Sequence, residues 1–124
     1  MSGLSGRAKA LLIADAAREL LAEDVVALDV REAVSFADTF IVATGRSDRH
    51  VQSIGDAIAE ALAQTGEKPL GVEGYQEGRW LLMDLGDVIV HVFQADVRRH
   101  YDLERLWSES TPFDVSPPAA RKRK

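Results

Sequence analysis

Cysteine is absent from the 124 residues, which excludes disulfide frameworks, thiol nucleophiles and cysteine metal sites and is compatible with a reducing cytoplasm. No apolar run approaches the roughly 18 residues of a membrane span, and the opening MSGLSGRAKA lacks the hydrophobic centre of a signal peptide. The expectation is a soluble, unexported, cytoplasmic protein with no membrane contact. An excess of positive charge is also missing. The formal net charge of -5 argues against a broad electrostatic surface for nucleic acid and leaves a basic protein as the natural partner. With 46% hydrophobic residues, the chain suits one globular domain with a real core, and no internal repeat is visible.

The most informative stretch is Trp80 to Trp107, WLLMDLGDVIVHVFQADVRRHYDLERLW. Two apolar runs, Trp80 to Leu85 and Val88 to Phe93, flank Gly86-Asp87, a turn whose leading glycine suits type II′ geometry. If Leu85 sits opposite Val88, then Asp84 faces Ile89, Leu82 faces His91 and Trp80 faces Phe93, all on one side. The other side carries Leu81, Met83, Leu85, Val88, Val90 and Val92, the aliphatic face that covering helices require. The mixed face, with Trp80, Leu82, Asp84, His91 and Phe93, has the composition of a protein-binding patch. Trp80 lies at the open end of the hairpin, where a large aromatic is costly to expose without a use.

Upstream, helical spacing of Ala8, Leu11, Leu12, Ala16, Leu20 and Leu21 predicts an amphipathic helix from about Ser5 to Glu23. Val25 to Val30 and Thr39 to Thr44 read as antiparallel strands joined by a polar loop, Arg31 to Asp38. A helix capped by Ser47 or Asp48 follows, with Val51, Ile54, Ile58, Ala61 and Leu62 as its buried stripe and Gly66 and Pro69 as its stop. Leu70 to Glu73 then runs parallel to the Thr39 strand by the right-handed crossover rule, and Gly74 to Arg79 leads into the hairpin. After it, Asp96 or a neighbour caps a helix through Trp107 with Val97, Tyr101 and Trp107 on one face, an amphipathic element anchored to the sheet. The fold class is α/β, a single domain with a mixed five-stranded sheet packed by helices over residues 1–109. Residues 110–124 contain Pro112, Pro117 and Pro118 and end in the basic run Arg121 to Lys124. They read as a disordered tail, a solubilising extension more than an arm for RNA phosphates.

Chemistry has few footholds. Gly45, Ser47 and the helix start at Asp48 could form a phosphate cradle assisted by Arg46 and Arg49. The paired carboxylates that two-metal phosphoryl transfer needs are missing, because Asp84 lies on a strand and Asp87 in the turn. His91 with Asp84, and with Asp38 and Glu73 near, could be drawn as a metal or general-base site, although one histidine on a strand is more often a satisfied structural group. His50 and His100 form no zinc-binding pair with it. No cofactor, metal or catalytic residue is expected.

Several motifs carry a resemblance. D-L-G-D-V-I-V-H-V, R-R-x-Y-x-L-E-x-L-W, the run A-D-T-F-I-V-A-T-G-x-S-x-R-H-V over Ala37 to Val51 and the G-V-E-G of Gly71 to Gly74 closely resemble the ribosomal silencing factor family, also called Iojap-like, over about Ala8 to Trp107. The resemblance implies a nucleotidyltransferase-like architecture without enzymatic activity. It also implies binding to the large ribosomal subunit through the ribosomal protein L-fourteen, which blocks joining of the small subunit and represses translation. The family's contact strand maps onto Trp80, Leu81, Leu82 and Asp84, with Arg99 and Tyr101 as neighbours. The register derived from the turn agrees for Trp80, Leu82 and Asp84 and disagrees for Leu81, which it points inward. Rival classes are a nucleotide- or phosphate-binding enzyme built on the Gly45 to Val51 turn and a homodimer using the mixed face against itself. Ribosomal RNA contact by the basic tail would be a minor addition.

Overall fold

A computed structural model describes residues 5–100, 110–113 and 115. The chain runs α1 (Gly6–Glu19), β1 (Glu23–Asp29), β2 (Thr39–Gly45), α2 (Asp48–Ala63), β3 (Gly71–Glu73), β4 (Trp80–Asp84), β5 (Val88–Gln94), α3 (Ala95–His100) and β6 (Thr111–Phe113). The strands form one mixed, open sheet in the order β3-β4-β5-β2-β1-β6. Among the described residues no helix is long and apolar enough to cross a membrane.

The centre of the sheet is the parallel pair β2 and β5. All residues of β2 are buried, as expected of a strand covered on both faces. Its alternate residues serve two cores: Ile41 and Ala43 join the aliphatic cluster with α1 and α2, while Phe40 and Val42 join a second cluster with Leu28, Val30, Ile89, Phe93 and Val97 of α3. The hairpin has the register its turn dictates, Trp80 opposite Phe93, Leu82 opposite His91 and Asp84 opposite Ile89. Leu85 N–H donates to the Val88 carbonyl at 2.9 Å. Gly86, at φ 92°, is the turn residue with positive φ, in keeping with type II′.

The helices follow their caps. Ser5 Oγ accepts from Ala8 N–H at 3.1 Å, and Ala10, Ile13, Ala14 and Ala17 are buried along α1. The small alanines allow α1 to lie close to α2 and the sheet. This helix is shorter than the spacing of leucines suggests: it closes at Leu20, and Leu21 takes a left-handed φ of 64° and is exposed. The chain must turn there to enter β1. Along α2, Val51, Ile54, Ile58 and Leu62 are fully buried, and Ser47 Oγ accepts from His50 N–H at 3.0 Å. Replacing Ser47 by alanine should therefore cost about 1 kcal/mol of stability, read as a lower denaturation midpoint with unchanged slope.

Two expectations need correction. Among the described residues the sheet has six strands, not five, because Thr111–Phe113 pairs antiparallel with β1. These residues come from the Pro-containing segment read as a tail without regular structure, and nearby Val115 is buried in the aliphatic cluster. Pro112 is tolerated because β6 is an edge strand, where a missing N–H need not interrupt a ladder. The second concerns β3, which does run in the direction of β2 but lies two strands away from it, paired only with β4. The crossover rule fixes direction and hand, and β5 and β4 fill the intervening places. The closing helix is seen over Ala95–His100; its expected continuation with Tyr101 and Trp107, and the basic run Arg121 to Lys124, lie outside the described residues.

Candidate functional site

The mixed face of the hairpin carries an apolar groove of about 250 Å³ between the loop before β2 and the strand β4. Phe36, Phe40 and Val42 form one side, Trp80 and Leu82 the other, and Ile89, His91 and Phe93 the floor. Alternation on the strands places these side chains together, since Leu82, His91 and Val42 are successive cross-strand partners. Phe36 is 64% exposed and its ring centroid lies 6.2 Å from that of Phe40. A phenylalanine left this open beside a groove is the kind of anchor that a protein partner buries.

Trp80 is half-buried. Its ring packs 4.8 Å from Phe93, and its indole N–H donates to His91 Nδ1 at 3.2 Å. Its position is set from outside the sheet. Gly74 has φ 79°, and a Cβ there would stand 2.0 Å from the Trp80 carbonyl oxygen, so the loop turns back against β4 only with glycine at that point. The same loop is tied to α2 by Gln52, whose amide donates to the carbonyls of Tyr75 and Gln76. Arg79 pairs with Asp96 at 2.7 Å, joining the start of β4 to α3.

His91 is buried, stacked on Phe93 at 5.7 Å and close to Phe40 at 4.7 Å. Burial pushes its pKa down to about 4, so it is neutral at physiological pH. In the unfolded chain an ordinary histidine takes its proton near pH 6.5. The unfolded state therefore binds more protons between those values, and stability should fall as pH drops from about 6.5 toward 4. A His91→Phe variant should lose that part of the slope in acid-denaturation curves.

The remaining expected site residues divide. Leu82 and Asp84 share the groove's face, and Glu73, opposite Leu82 in the register, lies on the same side. Asp84 is not simply a rim charge, for its Oδ1 accepts from Gly86 N–H at 2.8 Å and so helps close the turn. Asp38 lines a separate polar cleft with Asp29 and Arg31. Leu81 is fully buried on the aliphatic face against α2, which upholds the inward reading from the register. The family resemblance places Leu81 in the contact, whereas here its side chain is buried on the face opposite Trp80, Leu82 and Asp84. Arg99 is exposed on α3, and Tyr101 lies outside the described residues. Sequence reasoning missed Phe36, Phe40 and Val42. The available signal was a phenylalanine inside an otherwise polar loop, followed by the period-two pair Phe40 and Val42 on the Thr39 strand.

At the Gly45 to Val51 turn, the polar groups of the alternative phosphate cradle have partners within the chain. A Cβ on Gly45 would meet Val51 Cγ2 at 2.8 Å, so the start of α2 packs closely on the strand end. Ser47 is occupied as the cap, Arg46 N–H donates to His50 Nδ1 at 2.9 Å, and the carboxylate of Asp48 already sits at the helix start, bonded to Gln94. With Nδ1 accepting, the His50 proton lies on Nε2, which donates to the Leu20 carbonyl at 2.6 Å. This histidine pins the end of α1 to the start of α2. Asp87 turns away from Asp84 to pair with the buried Lys9 at 3.1 Å. Among the described residues no cluster of three or more histidine and carboxylate side chains is placed to hold a metal ion.

Comparison with known proteins agrees with this fold. Residues 5–124 match the family model described as "Ribosomal silencing factor during starvation". The chain is 43% identical over 94 residues to a protein of Bacillus subtilis named ribosomal silencing factor, a span covering 76% of this chain and 80% of that one. A crystal structure of a Chromobacterium violaceum protein superimposes with a TM-score of 0.81 at 32% identity, covering 94% of this chain and 99% of the other. A second crystal structure, from Bacillus halodurans, gives a TM-score of 0.72 at 37% identity over 83% of this chain and 93% of that one.

Proposed function

The chain belongs to the ribosomal silencing factor family, and on that footing we propose that it binds the large ribosomal subunit through the ribosomal protein L-fourteen and blocks joining of the small subunit by occupying its approach. The observation that carries this reading is the groove beside β4, an apolar recess with an exposed aromatic rim on the strand the family resemblance singles out. Trp80, Leu82 and Phe36 supply apolar burial, and Asp84 and Glu73 supply negative charge at its edge. An acidic chain, with net charge -5, suits a basic ribosomal protein, whose approach such charges steer. The mechanism is steric, with no chemical step.

The reading is tested by sedimenting the purified protein with ribosomal particles through a density gradient. It should travel with isolated large subunits and be absent from joined ribosomes; migration with joined ribosomes, or with neither, contradicts it. Asp84→Asn refines the test, because asparagine keeps an acceptor for Gly86 N–H while removing the charge. It should weaken association and flatten its dependence on salt, with stability nearly unchanged.

A further inference from the structure

We infer that His91 offers an unpaired N–H donor to the occupant of the groove, and that in the silencing complex this occupant is a neutral segment of the ribosomal protein partner, which inserts an aliphatic side chain and gives a carbonyl oxygen to His91 Nε2. The inference rests on the proposed binding to L-fourteen and names what that same site recognises.

The direction of the hydrogen bond follows from Trp80. An indole nitrogen can only donate, so the Trp80 contact makes His91 Nδ1 the acceptor. A neutral imidazole with Nδ1 unprotonated carries its proton on Nε2. Among the described residues that buried atom has no hydrogen-bond partner, and it belongs to a residue only 8% exposed that lines the groove. A buried donor left unpaired is unfavourable, so an acceptor brought to it gains more than an exposed hydrogen bond does. The other lining residues, Phe36, Phe40, Val42, Leu82, Ile89 and Phe93, are apolar. A carboxylate entering among them would lose its hydration without meeting a cation, whereas a carbonyl flanked by an aliphatic side chain matches both the donor and the walls. Because Nε2 is covered in the free protein, one wall side chain must give way. The rings packed nearest the imidazole are Phe40 at 4.7 Å and Phe93 at 5.7 Å.

The test compares wild type, His91→Phe and His91→Gln for affinity to purified L-fourteen. Phenylalanine keeps the aromatic packing but removes both the Nε2 donor and the Nδ1 acceptor of the Trp80 indole, whereas the glutamine amide carries an N–H donor and a carbonyl acceptor at a similar reach from the backbone. His91→Phe should bind about tenfold more weakly while melting no lower than wild type, and His91→Gln should stay within about threefold of wild type. Nitrogen-resolved NMR of the wild-type imidazole supplies a readout that does not depend on any variant folding. It should show the proton on Nε2 in the free protein, and that proton should move downfield on saturation with L-fourteen. Equal affinity of wild type and His91→Phe, a proton on Nδ1, or an unmoved Nε2 proton in the complex overturns the inference alone. Failure of wild type itself to bind L-fourteen overturns the partner reading and the inference with it, and that result is visible before any variant is made.

Discussion

Trp80→Ala should fold and yet associate with the large subunit roughly 30-fold more weakly, the equivalent of about 2 kcal/mol for a truncated aromatic hot spot. The indole is half-buried, packed on Phe93 and bonded to His91, so its removal empties one wall of the groove and strips His91 Nδ1 of its donor. The aliphatic face of the hairpin, which holds the helices, is untouched because alternation on β4 points Leu81 and Met83 the other way. Equilibrium binding to purified large subunits, with circular dichroism to verify folding, reads the effect. Loss of the folded state in this variant, with binding by the residual folded fraction unchanged, would place Trp80 in the core and not in the contact.

Leu81→Ala is expected to do the opposite. Its side chain is fully buried between β4 and α2, and the fit is close enough that a Cβ on Gly55 would come within 2.6 Å of Leu81 Cδ1. With glycine facing it across the interface, little can move in to fill the space left by truncation. A loss of about 2–5 kcal/mol follows from the cavity and the lost transfer energy, measured by denaturant unfolding. The folded fraction should bind large subunits as wild type does. A variant with wild-type stability and abolished binding would reverse the assignment of the two faces.

These opposite outcomes for adjacent residues rest on a register that the sequence made legible. Gly86-Asp87 fixed where the chain reverses, and the alternation on either side left one register that sorts the aliphatic residues onto a single face. The α2 stripe was legible for a similar reason: Val51, Ile54, Ile58, Ala61 and Leu62 recur at helical spacing between a serine cap and a glycine stop, and all are buried except Ala61, which is half-buried. Features that depend on distant pairing were not legible. β6 has three residues with a proline among them and no alternation to read, and its partner β1 lies more than eighty positions earlier. β3 gave its direction through the crossover rule but not the two strands that separate it from β2.

The site was legible along β4 and β5 and obscure across the sheet. Trp80, Leu82 and His91 come from one hairpin, so local alternation brought them together. Phe40 and Val42 reach the groove only because β2 pairs in parallel with β5, a contact that no local pattern specifies. Phe36 was hidden by the polar company it keeps in its loop. Asp84 was read as a charge for a partner, yet aspartate two residues before a glycine is also a turn-closing acceptor, and the bond to Gly86 shows that use.

On the proposed function, occupation of the large subunit by this chain prevents subunit joining. Light scattering of purified small and large subunits, mixed under conditions that favour joined ribosomes, follows that event directly. Wild type should lower joining in step with its occupancy of large subunits, and Trp80→Ala should need roughly 30-fold more protein for the same effect. Undiminished joining with large subunits saturated by wild type would contradict the proposed function.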